Sequence, residues 1–525
     1  CDDEKQMKLT YVASAVRPAL GTDNDQQALR RVEGFKEFKP LPMNVMWLKS
    51  EERRVLVGDE IDRLCQLLDL PWLQRAREKA PGNLQFLRLP PPTMELGRKA
   101  RMPALTTSGG RLWGQLQRQG LYKGPVATDE LPQLKGIIFG KPNKFEEEMA
   151  HNVVRDTRRK LQELGLGTRF TEGELHVSDP QGIQTFKQAL QSADIQPGDV
   201  VMLFGTKASK STDAKCRSRI KLACLLEGEY TDSNYVISQW IDLTKLNVWA
   251  AKSLDFSIQN LAIGLAGKLG HTPWGIDVST WRKAGQGPGG QEVVVVGYDV
   301  CHLPDPHSAR PTKDRVHVAA GMRVSSHEDS QVMSKLHWEV QAVAAENVPA
   351  AQLRRLIPTD FVKGKIVIIH RDGEFTMQEL KSLEAYHAEV ASSGTSFLLI
   401  EIVKFAGGSP RLYQGKGQAA QGSAILLSNS SALLVSSRSG MGTPNPLMLR
   451  MQRRLGSGVD TLDNFAWIRS VYDLSFMHHG SIYCAPRLPV TTHFADRMAY
   501  QLAGGGEEWV QKFDGKPRSS QQFWL

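Results

Sequence analysis

The chain has 525 residues, with 65 Lys and Arg against 56 Asp and Glu, a net charge of +9 and a pI near 9.1. A hydrophobic content of 41% with 23% charged residues is that of a globular protein with room for several domains, and the basic balance favours a polyanionic partner. No apolar run approaches the roughly 18 residues of a membrane-spanning helix, and six scattered cysteines without a CxxC pair give neither a disulfide framework nor a structural zinc, so we expect a reducing, cytoplasmic setting and no membrane partner.

The first residue is Cys rather than Met and no signal peptide opens the chain, so a longer polypeptide is expected. Residues 1–84 read as an N-terminal segment of unknown type, a remnant of a longer N-terminal region, with one helix predicted from Asp59 to about Lys79. Leu89-Pro-Pro-Pro92 and the stretch around Ser108-Gly-Gly110 predict extended linker over 85–129. From 130 to 280 the pattern alternates: strand Gly136–Phe139, helix Lys144–Leu164, strand Asp199–Phe204, a basic loop, and a helix from about Ser257 to Lys268. Such alternation predicts an α/β domain with a parallel sheet. Its basic loop gathers Lys207, Lys210, Lys215, Arg217, Arg219 and Lys221 against the single acid Asp213. That density suits a phosphate, although a solvated basic loop has the same composition. Arg217 and Lys221, four apart, would share a face on a helical turn.

The glycines of Lys283–Gly290 precede a strand instead of following one, which makes them a linker and not a dinucleotide fingerprint. Residues 281–525 then predict a mixed sheet. Val293–Val296 runs into Asp299; hairpin-like strands follow over Val316–Val324, then a helix at about Ser334–Glu346 and a strand Val362–Ile369 that runs into His370-Arg-Asp372. A helix Met377–Ala391, a strand Ser396–Val403 and a terminal helix at about Asp496–Leu502 complete the pattern. Strands with acids at their ends outline a ribonuclease H-like fold. Two such acids in one sheet point to a divalent-metal site for phosphodiester hydrolysis. Asp496 is a third candidate, placed at a helix start where its charge suits the dipole. Glu339 is the fourth, with Glu328 its rival. His302 and His370 read either as ligands or as hydrogen-bonding neighbours of the acids, and His493 stands too close to Asp496 to replace it, so none enters the core set.

At these positions the sequence resembles the PIWI domain of Argonaute proteins. The matching strings are Gly297-Tyr-Asp299-Val-Cys-His302, His370-Arg-Asp372-Gly373, Gly442-Thr-Pro-Asn-Pro-Leu447 and Ala495-Asp496-Arg-Met-Ala499. Leu89–Gly97 is similar to the linker before the MID domain, so the resemblance covers roughly residues 85 to 525, and Asp496 with the Gly-Thr-Pro-x-Pro-Leu string looks more like prokaryotic members. It implies a MID-like domain over 130–280 and a PIWI domain over 281–525. Asp299, Asp372 and Asp496 would hold two Mg²⁺ or Mn²⁺ ions, with Glu339 as a mobile glutamate finger. Arg217 (where members commonly have Tyr), Lys221, Gln239 and Lys268 would bind a guide's 5′ phosphate, and the Leu525 carboxylate would help hold a further divalent ion there. The implied protein is a monomeric guide-dependent endonuclease that takes a short DNA or RNA guide and cleaves the complementary target, in gene silencing or host defence. A guide-dependent binding protein without cleavage and an unguided nuclease of the same fold are the competing readings.

Overall fold

A computed structural model describes residues 85–104, 109–124, 133–166, 171–178, 193, 195, 199–206, 236–244, 254–283, 290–304, 315–326, 330–404, 410–414, 417–438, 444–483 and 485–513. The chain divides into two compact units, Cys1–Leu89 with Val403–Leu449, and Pro90–Ile402 with Arg450–Leu525. In the first, Gln85–Arg88 and Ser431–Leu434 pair antiparallel with Ser423–Ser428. Leu412, Ala419, Leu433 and Val435 form its small core.

The second unit holds two sheets. One is wholly parallel, as the alternating pattern predicts: β1 (Gln133–Phe139) lies between β2 (Thr171–Ser178) and β3 (Val200–Gly205), and β4 (Ile237–Asp242) follows β3. Helix α1 (Lys144–Glu163) starts on a capping box: the Asn143 side chain accepts from the Glu146 N–H, and Glu146 accepts from the Asn143 N–H. Helix α2 (Leu254–Lys268) is buried along most of its second half.

The second sheet is mixed. β5 (Val293–Pro304) sits at its centre, antiparallel to β6 (Arg315–Ser326), which is antiparallel to β7 (Val332–Ala342). On the other side of β5, β8 (Ile366–Asp372) and then β9 (Ser396–Val403) run parallel to it. The order β7-β6-β5-β8-β9 follows from sequence chemistry. The run Val293–Val296 is covered on both faces, which suits a continuous β-branched apolar strand. Helix α3 (Met377–Val390) makes the crossover from β8 to β9 and opens on a capping box of Thr376 and Glu379. It covers one face with Leu380, Leu383 and Tyr386, packed against Val294, Val296, Tyr298 and Ile369. The burial of each such large side chain contributes about 1.5–3 kcal/mol. On the opposite face, α5 (Val490–Gly505) lies so close to β5 that a Cβ on Gly297 would stand 2.6 Å from the Thr491 carbonyl carbon.

Four expectations are corrected. Residues 332–342 form a strand and not a helix: Leu336, Trp338, Val340 and Ala342 alternate with Lys335, His337, Glu339 and Gln341, the period of two of a strand, and both faces are largely buried. Asp496 lies in the middle of α5, away from the helix start, so the dipole argument for it fails. The stretch at 108–110 enters a helix, Gly109–Gln119, and is not all linker. Asp299 is not the end of its strand, which continues to Pro304 against β6. The helix predicted at Asp59–Lys79 lies outside the described residues.

Candidate metal centre

Register decides which acids can meet. The pairing of β5 with β8 ends at Tyr298 and Arg371, so the two strands part where Asp299 and Asp372 begin. A crevice of this kind, at the carboxyl ends of diverging parallel strands, is where open α/β sheets place ligands. His370 pairs with Gly297, and successive side chains alternate between faces. Asp372, two residues after His370, therefore shares a face with Gly297 and Asp299, the face that α5 covers. Asp496 arrives from α5 itself. Carboxylate oxygens of Asp299, Asp372 and Asp496 all lie within 4.8 Å of one another, and the first two side chains are buried. Three hard oxygen donors on one side of a crevice fit a hard divalent cation.

Charge around the centre is arranged with the same economy. Burial pushes the Cys301 thiol up to about 12, with Asp299 and Asp496 adding to the shift, which places that sulfur beside the acids as a neutral group. Burial lowers the half-buried Arg487 guanidinium, and Asp372 opposes that shift, so a cation flanks the crevice. Arg371 is almost fully buried, with Nη1 3.4 Å from Asp299 Oδ1 and Nε 3.6 Å from Glu379 Oε1. Its guanidinium lies over the Tyr298 ring, 5.2 Å from the centroid.

Glu339 is not part of this cluster. Gly321 pairs with both Tyr298 and Glu339, whereas Asp299 pairs with Ala320; Glu339 thus belongs to the Tyr298 face and points away from Asp299. It accepts a 2.7 Å hydrogen bond from Gln341 and lies 3.8 Å from Arg323. Its rival Glu328 lies outside the described residues. Glu346 is exposed in the turn after β7. Ala342 pairs with Val318 and Val318 with Cys301, so that turn returns to the Asp299 end of the sheet.

Each of the three histidines contacts a group other than the acids. His370 is fully buried between the hydroxyls of Thr491 (2.9 Å) and Ser470 (3.0 Å), and burial lowers it to about 3, so it stays neutral. His302 stacks on His317 across the β5–β6 pair, with ring centroids 5.7 Å apart. His493 packs against the ring of His478, 4.9 Å away.

Of the second predicted cluster, two members are brought together. Lys268, the last residue of α2, donates to the Ser238 carbonyl at 2.6 Å and to Gln239 Oε1 at 2.7 Å. Arg217, Lys221 and Leu525 lie outside the described residues. Toward its other end the same helix holds the loop that precedes α5: Asn260 Oδ1 accepts from the Ile482 N–H at 3.0 Å, and Gln259 accepts from the Tyr483 hydroxyl. Arg487, beside Asp372, follows four residues after Tyr483.

Known proteins resemble this arrangement. The family model described as Piwi domain matches residues 222–505. Over 150 residues the chain is 29% identical to the protein argonaute of Thermus thermophilus, a stretch that is 28% of this chain and 20% of that protein. Among solved structures, Drosophila Piwi superposes with a TM-score of 0.62 at 15% identity, covering 92% of this chain and 63% of that one. Aa-Ago with externally bound siRNA gives 0.55 at 17% identity, covering 85% and 56%. The chain spans less than two thirds of the length of each of these relatives, and the two structural likenesses carry the fold: a ribonuclease H-like mixed sheet with a separate parallel-sheet domain.

Proposed function

Because the chain belongs to the Piwi family, we propose that it is a guide-dependent endonuclease, binding a short 5′-phosphorylated nucleic acid in its MID-like part and cleaving the complementary strand in its PIWI part. The observation that carries this reading is the convergence of Asp299, Asp372 and Asp496 within 4.8 Å in a crevice between diverging strands. These three would hold Mg²⁺ or Mn²⁺, which when bound supplies an activated water and charge stabilisation for the leaving 3′ oxygen. The protein's own part is to fix the donors. β5 and β8 hold two acids on adjacent strands, α5 delivers the third, and the neutral His370 clamps α5 to β8 through Thr491. Arg487 provides a positive charge at the crevice for a backbone phosphate. Under this reading Lys268 and Gln239 join Arg217, Lys221 and Leu525 around the guide's 5′ phosphate, and Glu346 takes the fourth-acid role for which Glu339 faces the wrong way.

The test is cleavage of a complementary strand with 5′-phosphorylated and 5′-hydroxyl guides, using wild type and Asp372→Ala. We expect metal-dependent cleavage that favours the phosphorylated guide and disappears in the variant. Cleavage without any added guide would instead indicate an unguided nuclease. A second reading, guided binding without cleavage, is favoured by one fact: among the described residues only three carboxylates form the cluster. Tight guide and target binding with no cut in Mg²⁺ or Mn²⁺ would establish it.

A further inference from the structure

Resting on the metal reading of the three acids, we infer that Arg371 is a positioning residue of the centre: its guanidinium, wedged beneath the point where β5 and β8 part, fixes the rotamer of Asp299 so that the carboxylates are arranged before a cation arrives. Arg371 points to the face opposite the acids, since it pairs with Tyr298, yet its Nη1 reaches Asp299 Oδ1 at 3.4 Å and its own neighbour's carbonyl, Asp372 O, at 2.5 Å. One planar group therefore touches both strands that carry the ligands, just where their ladder has stopped. With no backbone hydrogen bonds between β5 and β8 beyond this point, the fork takes over the role of the missing rungs.

The guanidinium is itself held from behind. Tyr298 supplies a ring face at 5.2 Å, and Glu379, which is fully buried, sits 3.6 Å from Nε while it caps α3 through the Thr376 N–H. A rigid helix thus sets the Arg371 position, and Arg371 sets Asp299. A planar fork suits this task better than an ammonium, which is a point charge with rotatable donors. Such supporting partners ordinarily alter metal affinity by about 10–100-fold when removed.

Removing a positive charge beside three carboxylates should, by Coulomb attraction alone, tighten the binding of a divalent cation. Positioning predicts the reverse, so the sign separates the two roles. The experiment is calorimetric titration of the full chain with Mn²⁺ for wild type, Arg371→Gln, Arg371→Lys and Asp372→Ala. The expected result is about tenfold weaker Mn²⁺ binding in Arg371→Gln and a smaller loss in Arg371→Lys. Arg371→Lys keeps the positive charge and loses the planar fork, so Coulomb attraction alone predicts unchanged binding where positioning predicts weaker binding; it decides the matter if Arg371→Gln does not fold. Unchanged or tighter binding in Arg371→Gln, or in Arg371→Lys where the former is not soluble, overturns the inference. Wild-type protein without an Mn²⁺ isotherm, or Asp372→Ala with an unaltered one, overturns the metal reading and this inference with it, an outcome distinct from failure of the Arg371 variants alone.

Discussion

Asp372 and Asp473 are both buried carboxyls, but their surroundings ask different things of them. Asp473, on α4 (Ala466–Ser475), accepts one hydrogen bond from the Trp281 indole at 2.7 Å, and its other oxygen has no hydrogen-bond partner. Burial raises it from 3.8 to about 7, with Asp277 adding to the rise and Trp281 and Arg469 opposing it. The folded protein therefore binds a proton that the unfolded chain has lost between about pH 4 and 7, and stability falls as pH rises through that window. Asp473→Asn should remove this dependence and leave the variant more stable than wild type at pH 8, by about 2–4 kcal/mol; parallel melting curves at pH 5 and 8 read it. Glu339 and Glu346 make a similar contrast. Glu339→Gln should lower the melting temperature, because it leaves Arg323 without its carboxylate, and should spare guide binding. Glu346→Gln, on an exposed turn, should leave the melt unchanged and reduce cleavage at least tenfold in single-turnover assays.

At the level of strands and helices, the close approach of α5 to β5 is what brings Asp496 to the other acids. Gly297 makes that approach possible, because any Cβ there would meet Thr491 backbone. Gly297→Ala is expected to cost about 1–3 kcal/mol and to weaken Mn²⁺ binding together with stability, measured by urea unfolding and titration on one preparation. The same elements show how far the chain could be read unaided. β5 and β8 were legible because apolar β-branched runs that lead into acids are doubly buried strands, although the length of β5 beyond Asp299 was not. β9 was legible to the residue, Ser396–Val403. β7 was not: Leu336, Val340 and Val343 recur at helical spacing, and that spacing competes with the alternation of Leu336, Trp338, Val340 and Ala342 with polar residues, which is the pattern the strand follows. The acids Asp299, Asp372 and Asp496 were likewise readable from local strings, whereas the exclusion of Glu339 depends on a cross-strand register that no local pattern carries. Arg371 went unnoticed because its role arises only where two strands part.

For the molecule as a whole, the proposed activity needs a guide held at one place and cut geometry enforced at another. Lys268→Met should weaken binding of a 5′-phosphorylated guide about 10–100-fold, the worth of one or two charge-assisted hydrogen bonds, with a 5′-hydroxyl guide little affected; filter binding with both guides checks it. Lys268 stands at one tip of α2, and Gln259 and Asn260 grip the Arg487 loop along the same rod. About 13 Å of unbroken helix separates those grips at 1.5 Å per residue. A stiff member fastened at two points passes a tilt at one to the other, and a guide that steadies the loop through Lys268 is by reciprocity held more tightly when the loop is steady. Fidelity in such a machine would then be partly a matter of leverage: an oligonucleotide lacking its terminal phosphate would be badly gripped and would also leave the scissors slack.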